Sequence, residues 1–600
     1  MHNPIKTNII THSIKRIFEV LPPGYKKRSI RMMLLLLMNS ILEMVGLAAF
    51  LPLFTVILKE GVTESHHIIS KAYQLGGFNS ENQFILVLAG LIVFVITFKN
   101  IMGLFIIKSQ AKFSLSLYQF FAIRLHKYYY QKGFSFFKNT NSNIIMRDVN
   151  HETQKFANQM VLPMFNFLTE TFILVFILTS LVLYDWRAIL LLSFTILPIF
   201  LLFYNWVKEK SLKLEKETFR ITPKLGRSIF QSIFGYIDVV ITNSLRFFQD
   251  SISHYLNKQI KLNIKRVVYQ QAPTRVIETG MVVTIFIITA YGIFFLPNRA
   301  GLAALLGLFA LAAYRILPSI NRIMLALISI KGHQYTFDIV SQVNDLKTDA
   351  DEDREEALSI PFQRDISLNK VSFRFPDGHD DVLKNIDVKI KKGEAIGFMG
   401  PSGSGKTTLM NLMLGFWKAK DGTFKVDDIV LDESNLKAWH KLVGYVQQEV
   451  YLLDATLAEN VAFGMPADKI DHAHLEHVLK KTSLWDMVQE LPDGVNTQVG
   501  ERGTRLSGGQ RQRIGIARAI YSGAEILFFD EATSALDTET EEDITESIRE
   551  LTHSNLTIIV IAHRITTLKY CDRIFQVSNG EITRETGYKE IAGEMLGLGD

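Results

Sequence analysis

Apolar residues are unevenly distributed along this chain of 600 residues. Six stretches in the first half are apolar over roughly 20 residues or more, the length that a helix needs to cross about 30 Å of hydrocarbon. The pattern therefore predicts six membrane-spanning helices, at residues 32–58, 84–107, 161–184, 188–206, 276–296 and 301–325.

The connections between these stretches differ in length and charge. Those at 59–83, 185–187 and 297–300 are the shorter ones and contain few basic residues. Those at 108–160 and 207–275 are long, rich in Lys and Arg, and helical in composition. Basic residues favour the cytoplasmic side, so both termini are predicted to be cytoplasmic. As helical hairpins, the long connections would project about 35–40 Å from the membrane at about 1.5 Å per residue.

Beyond the sixth stretch the chain changes character. Residues 345–359 are strongly acidic and are predicted to form a solvated linker. From about Ile360 onward, strand-like runs alternate with helical patterns and Gly turns, which is typical of an α/β domain. We therefore expect a transmembrane domain at 1–344 and an α/β domain at 360–600. The single cysteine, Cys571, excludes an intramolecular disulfide.

A phosphate-binding loop follows the strand-like run 395–399. Its glycines let backbone amides turn toward phosphates, Lys406 neutralises phosphate charge, and the Thr407 hydroxyl is suited to Mg²⁺. The following helix adds its positive N-terminal end. The predicted fold class is an all-α six-helix membrane domain fused to an α/β P-loop ATPase domain.

Two carboxylates and a histidine follow later apolar runs. Asp530 and Glu531 end the run 526–529, where Asp530 can hold Mg²⁺ and Glu531 can polarise an attacking water. His563 follows the run 557–562. A lone histidine there would usually be structural, but its position in this series of motifs favours a catalytic role.

These motifs resemble the nucleotide-binding domain of ATP-binding cassette transporters, together with the signature Ser507-Gly508-Gly509-Gln510 that follows Leu506. The resemblance covers residues 360–600. It implies that Phe375 stacks on adenine, although tyrosine is commoner there, and that Gln448 senses Mg²⁺ and water. It implies an ATP-binding set of Phe375, Gly400, Pro401, Ser402, Gly403, Ser404, Gly405, Lys406, Thr407, Thr408, Ser507, Gly508, Gly509, Gln510 and Asp537.

The same resemblance assigns roles to the remaining site residues. Glu531, His563 and Gln448 would be catalytic, and Thr407, Gln448 and Asp530 would bind Mg²⁺. In this family the signature of one domain completes the phosphate site of another across a dimer. The chain is therefore expected to be a half-transporter with the type IV exporter fold. A homodimer is the simplest assembly, and a heterodimer with a related chain stays open.

Ionisable residues in the predicted spans point to a substrate. Short motifs at Glu43-Met44, from Arg275 to Glu278 and from Tyr314 to Arg322 resemble bacterial flippases of polyprenyl-diphosphate-linked oligosaccharides. Charged residues in a membrane are costly and face a wet cavity or a partner. The candidates to bind a diphosphate are Lys99, Arg275, Arg315 and Arg322. The alternative is structural ion pairing with Glu43, Glu170 and Glu278.

The resulting expectation is an ATP-driven flippase in the bacterial inner membrane. It would move a lipid-linked oligosaccharide or another amphipathic anionic lipid, with ATP and Mg²⁺ as cofactors and no nucleic-acid partner. Export of lipid A or of drugs is the alternative, and an ATP-gated receptor or channel is a third reading. The identity of the transported molecule is left open by the sequence.

Overall fold

A computed structural model describes most of the chain. The described residues are 9–50, 52–53, 56, 67–78, 80–184, 186–295, 299–346, 358–376, 378–500, 503–531, 538–552, 554–562 and 564–595. The chain separates into two compact units. The helical unit consists of Met1–Lys132 and Phe136–Leu346, and the sheet unit consists of Gly133–Ser135 and Lys347–Asp600.

The described part of the first 346 residues is helical. Its α-helices are α1 (Ile9–Val20), α2 (Pro23–Ala48), α3 (His67–Leu75), α4 (Glu81–Gln131), α5 (Gly133–Asn139), α6 (Ser142–Met146), α7 (Thr153–Lys155), α8 (Leu162–Tyr184), α9 (Trp186–Phe234), α10 (Tyr236–Ile241), α11 (Leu245–Phe295), α12 (Arg299–Gly332) and α13 (Thr336–Val340). Wider π-helical turns flank α7 at Arg147–Glu152 and Phe156–Val161, and a 3₁₀ turn, Ser341–Asp345, follows α13.

Several of these helices are long and apolar enough to cross a membrane. Within the described residues, Pro23–Gly46, Glu81–Gln131 and Ser142–Thr179 meet that test of length and composition. The predicted spans 188–206 and 301–325 fall in α9 and α12, and residues 276–295 of the span 276–296 fall in α11. Many side chains of these spans, and residue 296, lie outside the described part of the chain.

Helix α4 illustrates how the sequence sets these elements. The Ser80 hydroxyl accepts a hydrogen bond from the Gln83 amide and so caps its first turn. At 51 residues and about 1.5 Å per residue, α4 is about 77 Å long, more than twice what a bilayer needs. Leu117, Phe121 and Leu125, spaced four residues apart, form a fully buried stripe. This stripe packs the C-terminal half of α4 into the core of the helical unit.

The sheet unit combines two sheets with packed helices. Its strands are β1 (Asp365–Phe373), β2 (Leu383–Lys391), β3 (Ala395–Met399), β4 (Asp421–Val426), β5 (Ile429–Val430), β6 (Val443–Val446), β7 (Ile526–Asp530), β8 (Thr557–Ile561), β9 (Arg573–Ser578) and β10 (Glu581–Thr586). Its α-helices are α14 (Lys406–Met413), α15 (Leu436–Leu442), α16 (Leu457–Val461), α17 (His472–Lys481), α18 (Trp485–Glu490), α19 (Gly508–Tyr521), α20 (Thr538–Thr552) and α21 (Tyr588–Met595).

The larger sheet positions the predicted ATP site. One sheet is antiparallel with the order β2-β1-β4-β5, and the other has the order β10-β9-β3-β8-β7-β6. In the second sheet β9, β3, β8, β7 and β6 run parallel, so their carboxyl ends lie at one edge. Strands β3, β7 and β8 are almost entirely buried, as expected for a parallel sheet covered on both faces. Ligands of such sheets bind beyond the carboxyl ends of the strands.

Candidate functional site

The phosphate-binding loop leaves the carboxyl end of β3 at the sheet edge. Its first glycine, Gly400, passes so close to β9 that a Cβ there would lie 2.1 Å from the Val577 carbonyl oxygen. Gly405 has φ +105° and stands directly before α14, a backbone conformation that L-residues rarely adopt. Both positions therefore need glycine for the loop to fold back on itself.

Two buried side chains of this loop suit a phosphate ligand. The Lys406 ammonium donates hydrogen bonds to the carbonyl oxygens of Gly400 at 2.8 Å and Pro401 at 2.9 Å. Burial lowers the pKa of Lys406, and the negative charges of Glu531 and Asp530 oppose that shift. The Ser404 hydroxyl is buried with no hydrogen-bond partner among the described residues. An ammonium and an unpartnered hydroxyl in a glycine cradle fit a phosphate group.

Asp530 and Glu531 stand at the carboxyl end of β7, separated from the loop by β8 alone. The Tyr445 hydroxyl on β6 donates to Asp530 Oδ2 at 3.1 Å. Burial raises the pKa of Asp530, and the hydrogen bond from Tyr445 acts in the opposite direction. Tyr445 is a site residue that the sequence reasoning missed. Its only signal was its place three residues before Gln448, at the end of a strand beside β7.

Glu531 leaves the strand through an unusual backbone conformation. Its φ is +47°, in the left-handed region, and its amide donates to the Ile561 carbonyl at 3.0 Å. Non-glycine residues in this region carry a conformational cost that is concentrated at functional sites. This conformation falls directly after Asp530, the last residue of β7.

The signature segment begins helix α19. The Ser507 hydroxyl accepts from the Gln510 amide at 3.2 Å, and Gln510 Oε1 accepts from the Ser507 amide at 2.8 Å. This reciprocal capping box fixes the helix N-terminus. The Ser507 side chain is exposed at that terminus, and Gly509 is buried beneath it. The signature segment is therefore held at the first turn of α19, with the Ser507 side chain exposed.

The structure describes some of the remaining predicted ATP-site residues and leaves others out. The ring of Phe375 packs edge-on against Phe373 and Trp417, with centroids 5.1 and 5.3 Å apart. Thr407 and Gln448 are exposed. Asp537 and His563 lie outside the described residues.

A buried carboxylate holds the chain near both undescribed positions. Glu541 on α20 forms an ion pair with Arg564 and accepts a hydrogen bond from Thr567 at 3.1 Å. Arg564 directly follows His563 in the sequence, and Glu541 comes four residues after Asp537. The Glu541 contacts therefore hold together the described residues that follow Asp537 and those that follow His563 in the sequence.

Binding of Mg²⁺ requires oxygen ligands at the predicted ATP site. Among the described residues there is no group of three or more His, Cys, Asp or Glu side chains arranged to hold a metal ion. Mg²⁺ at a nucleotide site needs none, because it takes one or two carboxylates and completes its shell with phosphate oxygens and water. Asp530 with the hydroxyl of Thr407 and the amide oxygen of Gln448 offers the oxygen ligands that this ion prefers.

A chain of ion pairs links four helices of the helical unit. Lys99 Nζ on α4 lies 3.0 Å from Glu43 Oε2 on α2. Glu43 is also 3.7 Å from Arg315 on α12, which reaches Glu170 on α8 at 4.0 Å. Glu170 pairs in turn with Arg322 Nε at 2.8 Å. Three cations thus share two carboxylates in this set, which we call the interhelical charge cluster.

The interior of the interhelical charge cluster is shielded from solvent. The side chains of Glu170 and Arg315 are 7% and 14% exposed, whereas that of Arg322 is 47% exposed. Glu170 Oε2 also accepts from Ser319 at 2.7 Å. Arg315 Nε is buried with no hydrogen-bond partner among the described residues. A net positive charge and an unpartnered donor in a shielded place favour an anionic ligand.

The structure brings together three of the four predicted substrate residues. Lys99, Arg315 and Arg322 belong to the interhelical charge cluster, while Arg275 pairs with Glu278 on its own helix at 3.1 Å. The Arg275 side chain is 80% exposed. The alternative of structural ion pairing is thus realised for all four cations, and it coexists with the surplus positive charge of the cluster.

A polar cavity of about 460 Å³ adjoins Arg322. It lies between α8, α9, α11 and α12 and is lined by Asn321, Gln270, Thr274 and His333 among others. Asn321 Oδ1 is buried without a hydrogen-bond partner in the described part of the chain. Burial lowers the pKa of His333, and its hydrogen bond with the Ser329 carbonyl and the nearby Glu215 carboxylate oppose that shift. Arg322 is therefore reachable from a space that suits polar groups.

Comparison with known proteins agrees with this architecture. Residues 383–534 match the family described as ABC transporter. The chain is 40% identical over 228 residues to an ATP-dependent lipid A-core flippase of Cupriavidus pinatubonensis, covering 38% of each chain. It is 27% identical over 553 residues to a protein of the same name from Desulfotalea psychrophila, covering 90% of this chain and 94% of the relative. The alignments with the first curated relatives span only about two fifths of their length.

The fold has a solved counterpart along nearly its whole length. A bacterial Atm1-family ABC exporter with ATP bound superimposes with a TM-score of 0.73 at 18% identity, covering 95% of this chain and 96% of that one. The chain therefore has the ABC exporter fold, a helical transmembrane region joined to an α/β nucleotide-binding domain, and the predicted fold class is confirmed. More particularly, residues 383–534, which match the family described as ABC transporter, contain the phosphate-binding loop, the signature and the pair Asp530 and Glu531.

Proposed function

We propose that this protein is an ATP-driven exporter that flips an anionic, phosphate-bearing lipid, in the first place a lipid-linked oligosaccharide, across the bacterial inner membrane. The transmembrane domain would comprise residues 1–344, the linker 345–359 and the cytoplasmic ATPase domain 360–600. Both termini would be cytoplasmic. The observation that carries the substrate class is the interhelical charge cluster, in which three cations share two carboxylates.

ATP binding rests on the sheet edge. Lys406 and Ser404 provide an ammonium and a hydroxyl for the phosphates, and Phe375 provides a π face for the adenine. Thr407, Gln448 and Asp530 would hold Mg²⁺, which when bound neutralises phosphate charge. Glu531 would orient and polarise the attacking water, with His563 beside the same phosphate.

A second copy of the chain is the proposed partner. The signature Ser507–Gln510 begins helix α19 with the Ser507 side chain exposed, and a helix N-terminus suits a phosphate bound to another ATPase domain. Two identical chains then form two complete ATP sites, each with its own Glu531. Hydrolysis in this arrangement would drive transport rather than gate a channel.

The interhelical charge cluster supports a phosphate or diphosphate headgroup. Guanidinium groups bind phosphate oxygens in a forked geometry, and Arg315 offers a buried donor with no partner among the described residues. Arg322 joins the cluster to the polar cavity, which gives a headgroup a path to it. Arg275 is exposed and would contact the headgroup outside the cluster.

Export of lipid A is the second candidate. It is favoured by the relatives named ATP-dependent lipid A-core flippase, and lipid A also carries phosphate groups that suit the same cations. A purely apolar drug as the main substrate is disfavoured by the charged and polar character of the cluster and the cavity.

The decisive experiment measures ATP hydrolysis in lipid nanodiscs. Wild type and Glu531→Gln are compared without lipid ligand, with a polyprenyl-diphosphate oligosaccharide and with lipid A. Stimulation by the first lipid, absent in Glu531→Gln and weakened in Arg275→Ala, supports the proposal. Stimulation by lipid A alone selects the second candidate. ATP hydrolysis that neither lipid stimulates would contradict the proposed substrate class but not the assignment as an ATPase.

A further inference from the structure

The side chain of Gln512 connects two motifs of the sheet unit, the signature helix α19 and the loop that carries Gln448. It lies on α19, five residues after Ser507, and is only 5% exposed. Its side-chain amide Nε2 donates to the carbonyl oxygens of Gln448 at 2.6 Å and Gln447 at 3.2 Å. The helix that begins with the signature is thus bonded directly to the backbone of the loop that carries Gln448.

The orientation of this amide is fixed by its partners. Both atoms that Nε2 contacts are carbonyl oxygens, which accept hydrogen bonds and cannot donate them. The other end of the amide, Oε1, is buried and has no partner among the described residues. An apolar side chain of similar size would remove this unpartnered acceptor, but it would also leave the carbonyl oxygens of Gln447 and Gln448 without their donor. Packing alone therefore does not explain a glutamine at position 512.

We propose that Gln512 is a positioning residue that couples the two ATP sites of the dimer. This inference rests on the proposed function, in which Gln448 serves the ATP site of its own domain and Ser507–Gln510 serve the site of the partner. When Gln448 engages its ligand, the backbone at 447–448 shifts, and the bonds to Gln512 transmit that shift to the N-terminus of α19. Occupation of one site thereby sets the geometry of the signature at the other.

This mechanism makes hydrolysis cooperative in ATP. With two coupled sites the Hill coefficient of the wild type is expected to lie between about 1 and about 2, clearly above 1. In Gln512→Met, which keeps the volume but has neither donor nor acceptor, it is expected to fall to about 1, the value for independent sites. Gln512→Glu keeps the shape without the donor and should behave in the same way. Gln512→Lys, which retains a donor, should recover part of the cooperativity.

Arg513 provides a matched control on the same helix. Its guanidinium donates to the Ser483 carbonyl at 3.0 Å, away from residues 447–448. Arg513→Gln should lower the melting temperature as much as or more than Gln512→Met, yet keep the wild-type Hill coefficient. A purely structural role of Gln512 would give the reverse, a lowered melting temperature with cooperativity intact.

The outcomes separate the inference from the function on which it rests. A wild type that does not hydrolyse ATP would contradict the proposed function. A wild type that hydrolyses ATP with a Hill coefficient of about 1, or variants at 512 that stay as cooperative as the wild type, would overturn the coupling role alone. Failure of Gln512→Met to fold would overturn it as well, because the residue would then be needed for the core.

Discussion

The ATP site of the sheet unit and the interhelical charge cluster of the helical unit hold their charges in different ways. At the ATP site, Lys406 is bonded to backbone carbonyls and Asp530 to a tyrosine hydroxyl, so neither is held by an ion pair among the described residues. In the charge cluster, every cation is paired with a carboxylate on another helix. A ligand can bind the first site without breaking an ion pair. At the second site, a ligand must compete with Glu43 and Glu170.

The largest effect is expected for Glu170→Ala in the helical unit. Glu170 is the buried partner of Arg322, Arg315 and Ser319, and removing it leaves charge without compensation. Breaking such a pair costs about 3–5 kcal/mol, so the melting temperature in nanodiscs should fall steeply. Glu170→Gln keeps an acceptor for Ser319 and should lose less. Equal stability of Glu170→Ala and wild type would show that the cluster is not held by its carboxylates.

Lys406→Ala should have the next largest effect, and on binding rather than on stability. One hydrogen bond between charged groups contributes about 1.5–3 kcal/mol, so ATP affinity should fall by roughly 10- to 100-fold. The fold should be little affected, because burial already disfavours the Lys406 charge. Titration calorimetry with ATP, beside a melting curve, tests both halves of the prediction. A large loss of stability would mean that Lys406 holds the loop together.

Tyr445→Phe should have a smaller effect, a weaker apparent affinity for Mg²⁺. The substitution removes only the hydroxyl that donates to Asp530 Oδ2, a bond of about 1 kcal/mol. The Mg²⁺ concentration for half-maximal hydrolysis should rise by about 5-fold, while the maximal rate at saturating Mg²⁺ stays near that of the wild type. Tyr588→Phe, a tyrosine substitution on α21, serves as the control. An unchanged Mg²⁺ requirement would remove Tyr445 from the site.

The smallest effect is expected for Glu278→Ala. Its ion pair with Arg275 joins two exposed side chains on one helix, and such pairs contribute at most about 1 kcal/mol. The melting temperature should hardly change, and stimulation by an anionic lipid should persist because Arg275 remains. Loss of stimulation in this variant would show that the pair, rather than the arginine alone, receives the headgroup.

The sequence could single out candidate ATP-site residues because their chemistry is local. The loop from Gly400 to Thr408 and the pair Asp530 and Glu531 each form a contiguous run next to a buried strand, and parallel strands then bring the runs to one edge. Tyr445 and Gln512 escaped notice because their roles depend on contacts across the sheet or between a helix and a loop. The spacing of residues along the sequence does not predict those contacts.

The helical unit was harder to interpret for a physical reason. Lys99, Arg315 and Arg322 were singled out by their place in apolar stretches, and four helices had to assemble before their partners were defined. Apolar length predicts a span but not the face that a charge occupies on it. Arg275 was grouped with the others on the same grounds, and the structure pairs it separately with Glu278.

The left-handed backbone of Glu531 has a consequence for how this protein can change over evolutionary time. A non-glycine residue in that conformation costs of order 1–3 kcal/mol, which glycine and, in part, asparagine avoid. Replacing Glu531 by either would therefore be expected to make the folded chain more stable while removing its carboxylate. Under the catalytic role proposed for Glu531, a duplicated copy that lost this carboxylate would lose hydrolysis and gain stability. A pair of one active and one inactive chain would then be a thermodynamically accessible descendant of the proposed homodimer.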